Sequence, residues 1–184
     1  RPFLADAETR SVSPENPTGE RGRGAMAVPA PGDPRLPFSA AARDLGRGWK
    51  VSPFLKPRAG ETVTIMDARG PGVIQHVFIT TEADFKGNGR ACVLRFYWDG
   101  EESPSVEVPM TDFFAVGHDR VAPVSSLAVV VNPRSSLNCY WPMPFRSRCR
   151  ITFTNEGERE LGLLTYQITY ALADVSPIYK GKRA

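Results

Sequence analysis

Two segments carry side chains able to grip a polyol. In Asn138-Cys-Tyr-Trp-Pro-Met-Pro-Phe145, an amide stands beside two aromatic rings, and two prolines in three positions argue against regular strand pairing. A flat ring stacks on the C–H face of a sugar while an amide or acid takes its hydroxyls. The competing structural reading is that these rings close one end of a hydrophobic core, where most large aromatics go. The second segment, Ser11-Val-Ser-Pro-Glu-Asn-Pro-Thr-Gly-Glu-Arg-Gly-Arg-Gly24, looks like a phosphate loop only superficially. It lacks a Gly-Lys-Ser/Thr ending, and no strand precedes it. A basic glycine-rich arm on nucleic acid is weakened by Glu8, Glu15 and Glu20, which nearly cancel its charge.

Other reactive groups lead less far. The stretch Asp99-Gly-Glu-Glu102, with Glu107 and Asp112 following, gathers carboxylates of the kind glycoside hydrolysis needs in pairs. Asp99-Gly100 already suits a turn, however, and adjacent Glu101 and Glu102 would point to opposite faces of a strand. A solvated hairpin tip is the better reading. His118 with Ser125 or Ser126 has no nucleophile elbow around it. Cys92, Cys139 and Cys149 are odd in number, match no zinc spacing, and gain nothing from His76 or His118. Cys92 and Cys149 read as small core residues, and a reducing compartment is favoured.

The elements that must position these groups follow from periodicity. The chain has 184 residues, about one domain, with 41% hydrophobic and 23% charged residues and a net charge of +3. That excludes a coiled coil and a disordered chain, and the charge is too weak and dispersed for a nucleic-acid binder. No apolar run approaches a membrane span, and no secretion signal opens the sequence, which points towards the cytoplasm. Residues 1–37 are a loop-rich arm dense in Pro and Gly, and 176–184 a tail. One short helix is expected at Ser39–Gly46, capped by Ser39 and ended by Gly46. From residue 49 the period becomes two. Strands are expected at 62–65, 73–81, 90–98, 105–108, 127–131, 148–154 and 161–172, separated by turn formers at 67–72, 86–89, 99–100 and 155–157. Residues 38–175 therefore read as an all-β, antiparallel sandwich of jelly-roll type, in which 90–98 and 105–108 pair as neighbours.

The pieces Phe3-Leu-Ala-Asp-Ala-Glu-Thr-Arg-Ser-Val-Ser-Pro-Glu-Asn-Pro-Thr-Gly-Glu20, Leu45-Gly-Arg-Gly-Trp-Lys50, Gly70-Pro-Gly-Val-Ile-Gln-His76, Arg95-Phe-Tyr-Trp-Asp-Gly-Glu-Glu102, Pro104-Ser-Val-Glu-Val-Pro109, Asp112-Phe-Phe114 and Asn138-Cys-Tyr-Trp-Pro-Met-Pro-Phe145 occur here in one order. From about residue 3 to 175 the chain resembles domain of unknown function 2961, classed as glycoside hydrolase family 172. That resemblance implies tandem jelly rolls assembled into trimers or hexamers. It also implies activity on fructofuranosyl or arabinofuranosyl linkages by a retaining mechanism with two glutamates. Those glutamates belong to Gly-Glu-Gly and Gly-Thr-Glu-Asp-Tyr motifs of the second jelly roll, and neither motif occurs here. The chain thus resembles the N-terminal half of such an enzyme.

Its expected contributions are sugar-binding and assembly surfaces, in a homo-oligomer without cofactor, metal, nucleic acid or membrane. The alternative is a non-catalytic carbohydrate-binding or self-assembling module. Sugar contacts are placed on Arg10, Ser11, Glu15, Asn16, Asn138, Tyr140 and Trp141, polar and aromatic groups in loops rather than strand interiors. No catalytic residue is assigned.

Overall fold

Alternating apolar and polar residues give each strand one face that must leave water, and two such surfaces close on each other. The computed structural model describes residues 7–28, 32, 44–81, 85 and 88–179. Its larger sheet holds β1 (Glu8–Val12), β3 (Gly72–Thr80), β6 (Val124–Ser125), β7 (Val129–Val131), β8 (Leu137–Cys139), β9 (Met143–Phe145) and β11 (Thr165–Leu172). The order is β1-β11-β3-β8-β7-β6, with β9 taking the other part of the β3 edge. The smaller sheet, ordered β2-β10-β4-β5, contains β2 (Thr62–Arg69), β4 (Cys92–Trp98), β5 (Val106–Pro109) and β10 (Arg148–Asn155). Every pairing is antiparallel. The chain crosses between sheets from β1 to β2, β2 to β3, β3 to β4, β5 to β6, β9 to β10 and β10 to β11, as a jelly roll requires. The all-β sandwich is the fold expected from the period.

Between the sheets lie Ile74, Ile79, Leu94, Phe96, Leu137, Phe145, Ile151, Phe153 and Ile168, all fully buried. Each such side chain stabilises the fold by roughly 1.5–3 kcal/mol relative to exposure. All three cysteines are buried and none forms a disulfide, and burial pushes the Cys149 thiol well above its usual value. Helix α1 (Met110–Phe113) closes one end, with Phe113 stacked on Phe96 and edge-on to Phe114. A second short helix, α2 (Ser176–Tyr179), follows β11.

Several local expectations are met and others corrected. Asp99 and Gly100 both have positive φ, and Glu101 N–H donates to Trp98 O, so the Asp-Gly corner is a type I′ turn. β4 pairs with β5 as expected, after a loop through 101–105. The expected helix at 39–46 falls mostly outside the described residues. Asp44 and Leu45 are helical, and Gly46 has φ +72°. Lys86 and Gly87 of one expected turn also lie outside them. The prolines at 142 and 144 do not abolish pairing. They divide the segment into β8 and β9, and Pro144 lies opposite Val73 on β3 without needing to donate. Beyond the strands expected, β1 forms in the arm and pairs with β11 at the sheet edge. Buried Asn155 staples the far loops: its Nδ2 donates to Pro57, Arg58 and Arg159 carbonyls, and its Oδ1 accepts from Gly157 N–H.

Candidate functional site: the arm pocket and outer face of the larger sheet

The arm folds back on the edge strand through a turn. Ser13 and Asn16 exchange backbone hydrogen bonds, and Asn16 Nδ2 donates to Ser11 O and Glu20 O at 3.3 and 3.0 Å. Gly19 adopts φ +67° against Tyr170, where an added Cβ would stand 2.8 Å from the phenol oxygen. Only glycine fits that approach. Glu15 reaches across to a second loop, and its Oε1 accepts from the N–H groups of Val51 and Ser52 at 2.7 and 2.5 Å. The other oxygen, Oε2, is buried with no hydrogen-bond partner. Arg10 Nη1 is ion-paired with Glu8 Oε1 at 2.7 Å, so of the Arg10 and Glu15 side chains it is Glu15 Oε2 that stays without a partner. A buried polar atom left this way is destabilising until a donor or acceptor arrives.

These groups line one cavity of about 400 Å³. Arg10, Ser11, Glu15 and Asn16 contribute from the arm, Lys50 from the following loop, and Gln167 from β11. Four of the seven expected contacts are therefore brought together.

Asn138 and Tyr140 lie apart from that cavity on the same sheet, and Trp141 follows Tyr140 in the chain. Ser11 lies opposite Thr169, and Thr169 opposite His76. One step along the Val77–Cys139 register places Tyr140 beside His76. Their rings stack with centroids 4.6 Å apart and planes 9° from parallel. Neighbouring Val12, Ile168, Val77 and Cys139 are buried, so this row points away from the core. Three strand spacings of ~4.8 Å separate Ser11 from Tyr140 by ~14 Å. Asn138 supports the stack: its Oδ1 lies 3.1 Å from His76 Nε2, and its Nδ2 donates to Val130 O and Ser136 O. Tyr140 is 44% exposed and Trp141 53%. The rings do not plug the sandwich.

His76, Gln167 and Lys50 were not among the expected contacts. The alternation marked β3 and β11 as strands, but which of their outward residues adjoin the arm depends on pairing across the sheet.

The remaining candidates lie elsewhere. Asp99 accepts from Arg146 N–H and Ser147 N–H at 2.8 and 2.7 Å and pairs with the Arg146 guanidinium. Burial raises its pKa, but these hydrogen bonds outweigh it and hold the carboxyl below its ordinary value. Glu101 accepts from Ser105, and both Glu101 and Glu102 are exposed. A cavity of about 340 Å³ lies beside them. There the Arg150 guanidinium already covers the Tyr97 ring at 3.8 Å, leaving that face unavailable for stacking. His118, Ser125 and Ser126 are exposed, and no hydrogen bond joins His118 to either serine. Among the described residues, no cluster of His, Cys, Asp and Glu could hold a metal, and no helix is long and apolar enough to cross a membrane.

No curated protein matches this sequence. Among solved structures, a chain from infectious bursal disease virus, "Structure of infectious bursal disease virus Gt strain", is similar with a TM-score of 0.35 and 8% identity. The likeness covers 91% of the present chain but 32% of the viral one, and at that score it carries no argument. The family comparison is of another kind. The GH172 domain-like pattern matches residues 52–168, well over half of the chain and spanning β2 through the first half of β11. With the sandwich and the motif order already described, this match establishes that the chain belongs to the GH172 domain-like family.

Proposed function

We propose that this glycoside hydrolase family-like chain supplies the sugar-holding and assembly surfaces of a furanoside-active protein, with fructofuranosyl or arabinofuranosyl linkages as its targets. The bond-breaking carboxylates lie outside it. The observation that carries the reading is the exposure of Tyr140, on the outward row that reaches the arm, and of Trp141 next to it in the chain. Leaving an indole half in water forgoes part of the roughly 2 kcal/mol that burial would supply. A stacking partner recovers it.

In this reading Trp141 and Tyr140 take the apolar face of a sugar, and Arg10, Ser11, Glu15 and Asn16 bind hydroxyls some 14 Å along the sheet. That span favours an oligosaccharide over a single ring. Asn138 has both ends of its amide engaged within the protein and acts by holding its neighbours.

The test is titration with fructose and arabinose oligosaccharides, followed by tryptophan fluorescence and by calorimetry. Binding should quench fluorescence, and Trp141→Ala should remove that change and weaken affinity about tenfold, from a stacking contribution of up to ~1.5 kcal/mol. Aryl α-arabinofuranosides should not be hydrolysed by this chain alone. Absence of binding heat would overturn the sugar-holding role. Turnover abolished by changing Glu101 or Glu102 would overturn the assignment of the chemistry elsewhere.

A further inference from the structure

The hydrogen bonds around Asn138 fix a proton on a neighbouring ring. Its Nδ2 donates to two backbone carbonyls, Val130 O at 3.3 Å and Ser136 O at 3.2 Å, which can only accept. The amide therefore cannot be turned the other way, and the atom facing His76 is its oxygen. Since Oδ1 can only accept, His76 Nε2 must carry the hydrogen. In the neutral ring this leaves Nδ1 as a bare acceptor. Nδ1 has no hydrogen-bond partner among the described residues, yet it is not one of the buried unpartnered atoms, so it reaches solvent.

The backbone aims this ring. Thr169 lies opposite His76, but the next residue of β11, Tyr170, lies opposite Ile74. Gln75 is thus an extra residue, a bulge that re-aims the neighbouring side chains. On the far side Tyr140 stacks flat against the imidazole and limits its rotation. His76 is held in the middle of the row running from Ser11 through Thr169 to Tyr140, between the arm pocket and the exposed rings.

We infer that His76 is a ligand-binding residue of this face, its Nδ1 accepting a hydrogen bond from a hydroxyl of a neutral saccharide that spans from the arm to Tyr140 and Trp141. The inference rests on the sugar-holding reading of the same face. It narrows the chemistry further, because an Nδ1 lone pair meets an O–H donor favourably and repels the oxygens of a carboxylate or phosphate.

The test uses the full chain labelled with 15N-histidine. Two-bond proton–nitrogen spectra should show His76 Nε2 protonated and Nδ1 bare, and Nδ1 should shift when fructose or arabinose oligosaccharide is added. The opposite tautomer, or an unmoved Nδ1 in a saturated complex, overturns the inference. His76→Gln keeps an N–H in place of Nε2 for Asn138 but has nothing in place of Nδ1. It should leave the melting temperature unchanged and weaken oligosaccharide affinity about tenfold, the effect of one lost hydrogen bond of ~1–1.5 kcal/mol. If wild type binds and His76→Gln binds equally well, the inference fails while the sugar-holding role stands. If wild type binds no oligosaccharide, both fall.

Discussion

Asp99 is a carboxylate whose task is fixed by what surrounds it. Its two oxygens gather the start of the β10 turn, from Arg146 to Ser147, and its positive φ opens the type I′ corner. The native state therefore holds this carboxylate more firmly than the unfolded chain does. The contribution is complete above about pH 4 and disappears as pH falls through the depressed native value. Asp67, lowered chiefly by its hydrogen bond from Arg148, acts in the same direction. Chemical denaturation at pH 7 and pH 3 should show wild type losing more stability over that interval than Asp99→Asn. An equal loss in the two proteins would mean that Asp99 does not contribute. The turn was readable from the dipeptide alone, because Asp-Gly tolerates two successive left-handed residues. The partners at 146 and 147 were not, since they arrive from 47 and 48 positions away.

Among the elements, the arm most clearly gains its shape from another segment. β1 has five residues, and its ladder to β11 alone would leave the 13–25 turn weakly held. Glu15 supplies the second anchor by accepting the Val51 and Ser52 N–H groups. Glu15→Ala should speed amide hydrogen exchange at Val51 and Ser52 by at least tenfold, since two charge-assisted bonds of ~1.5 kcal/mol or more are lost. It should leave exchange in central β10 unchanged. Uniform acceleration throughout would instead indicate global destabilisation. β8 and β9 teach a related lesson. Two prolines argue locally against pairing, but a strand needs only the donors that face its partner, and β3 offers its edge in two parts. β1 escaped notice because five polar-leaning residues carry little periodic signal.

At the scale of the whole molecule, the apolar residues left outside are more telling than those within. Leu127 is 99% exposed, and the carbonyl of the next residue, Ala128, accepts Tyr140 N–H, so the backbone carrying Leu127 runs beside that carrying Tyr140 and Trp141, which are also exposed. Clustered exposed apolar side chains mark surfaces meant to be covered. The assembly role proposed above predicts sedimentation as a trimer or hexamer. Leu127→Asp should shift that population towards monomer, while leaving the thermal midpoint of the sandwich within a few degrees. A monodisperse wild-type monomer at high concentration would remove assembly from the proposal.

The sequence by itself determined the strand-rich architecture and its hairpin corner, because alternation and turn chemistry act between residues adjacent in the chain. The motif order determined the family in the same way. Only the tertiary structure decided that Ser11, Thr169, His76 and Tyr140 share one outward row. Pairing register joins strands more than 150 residues apart, and a single bulge at Gln75 changes which side chains meet. No local pattern records that choice, since it is fixed by how two buried faces interlock.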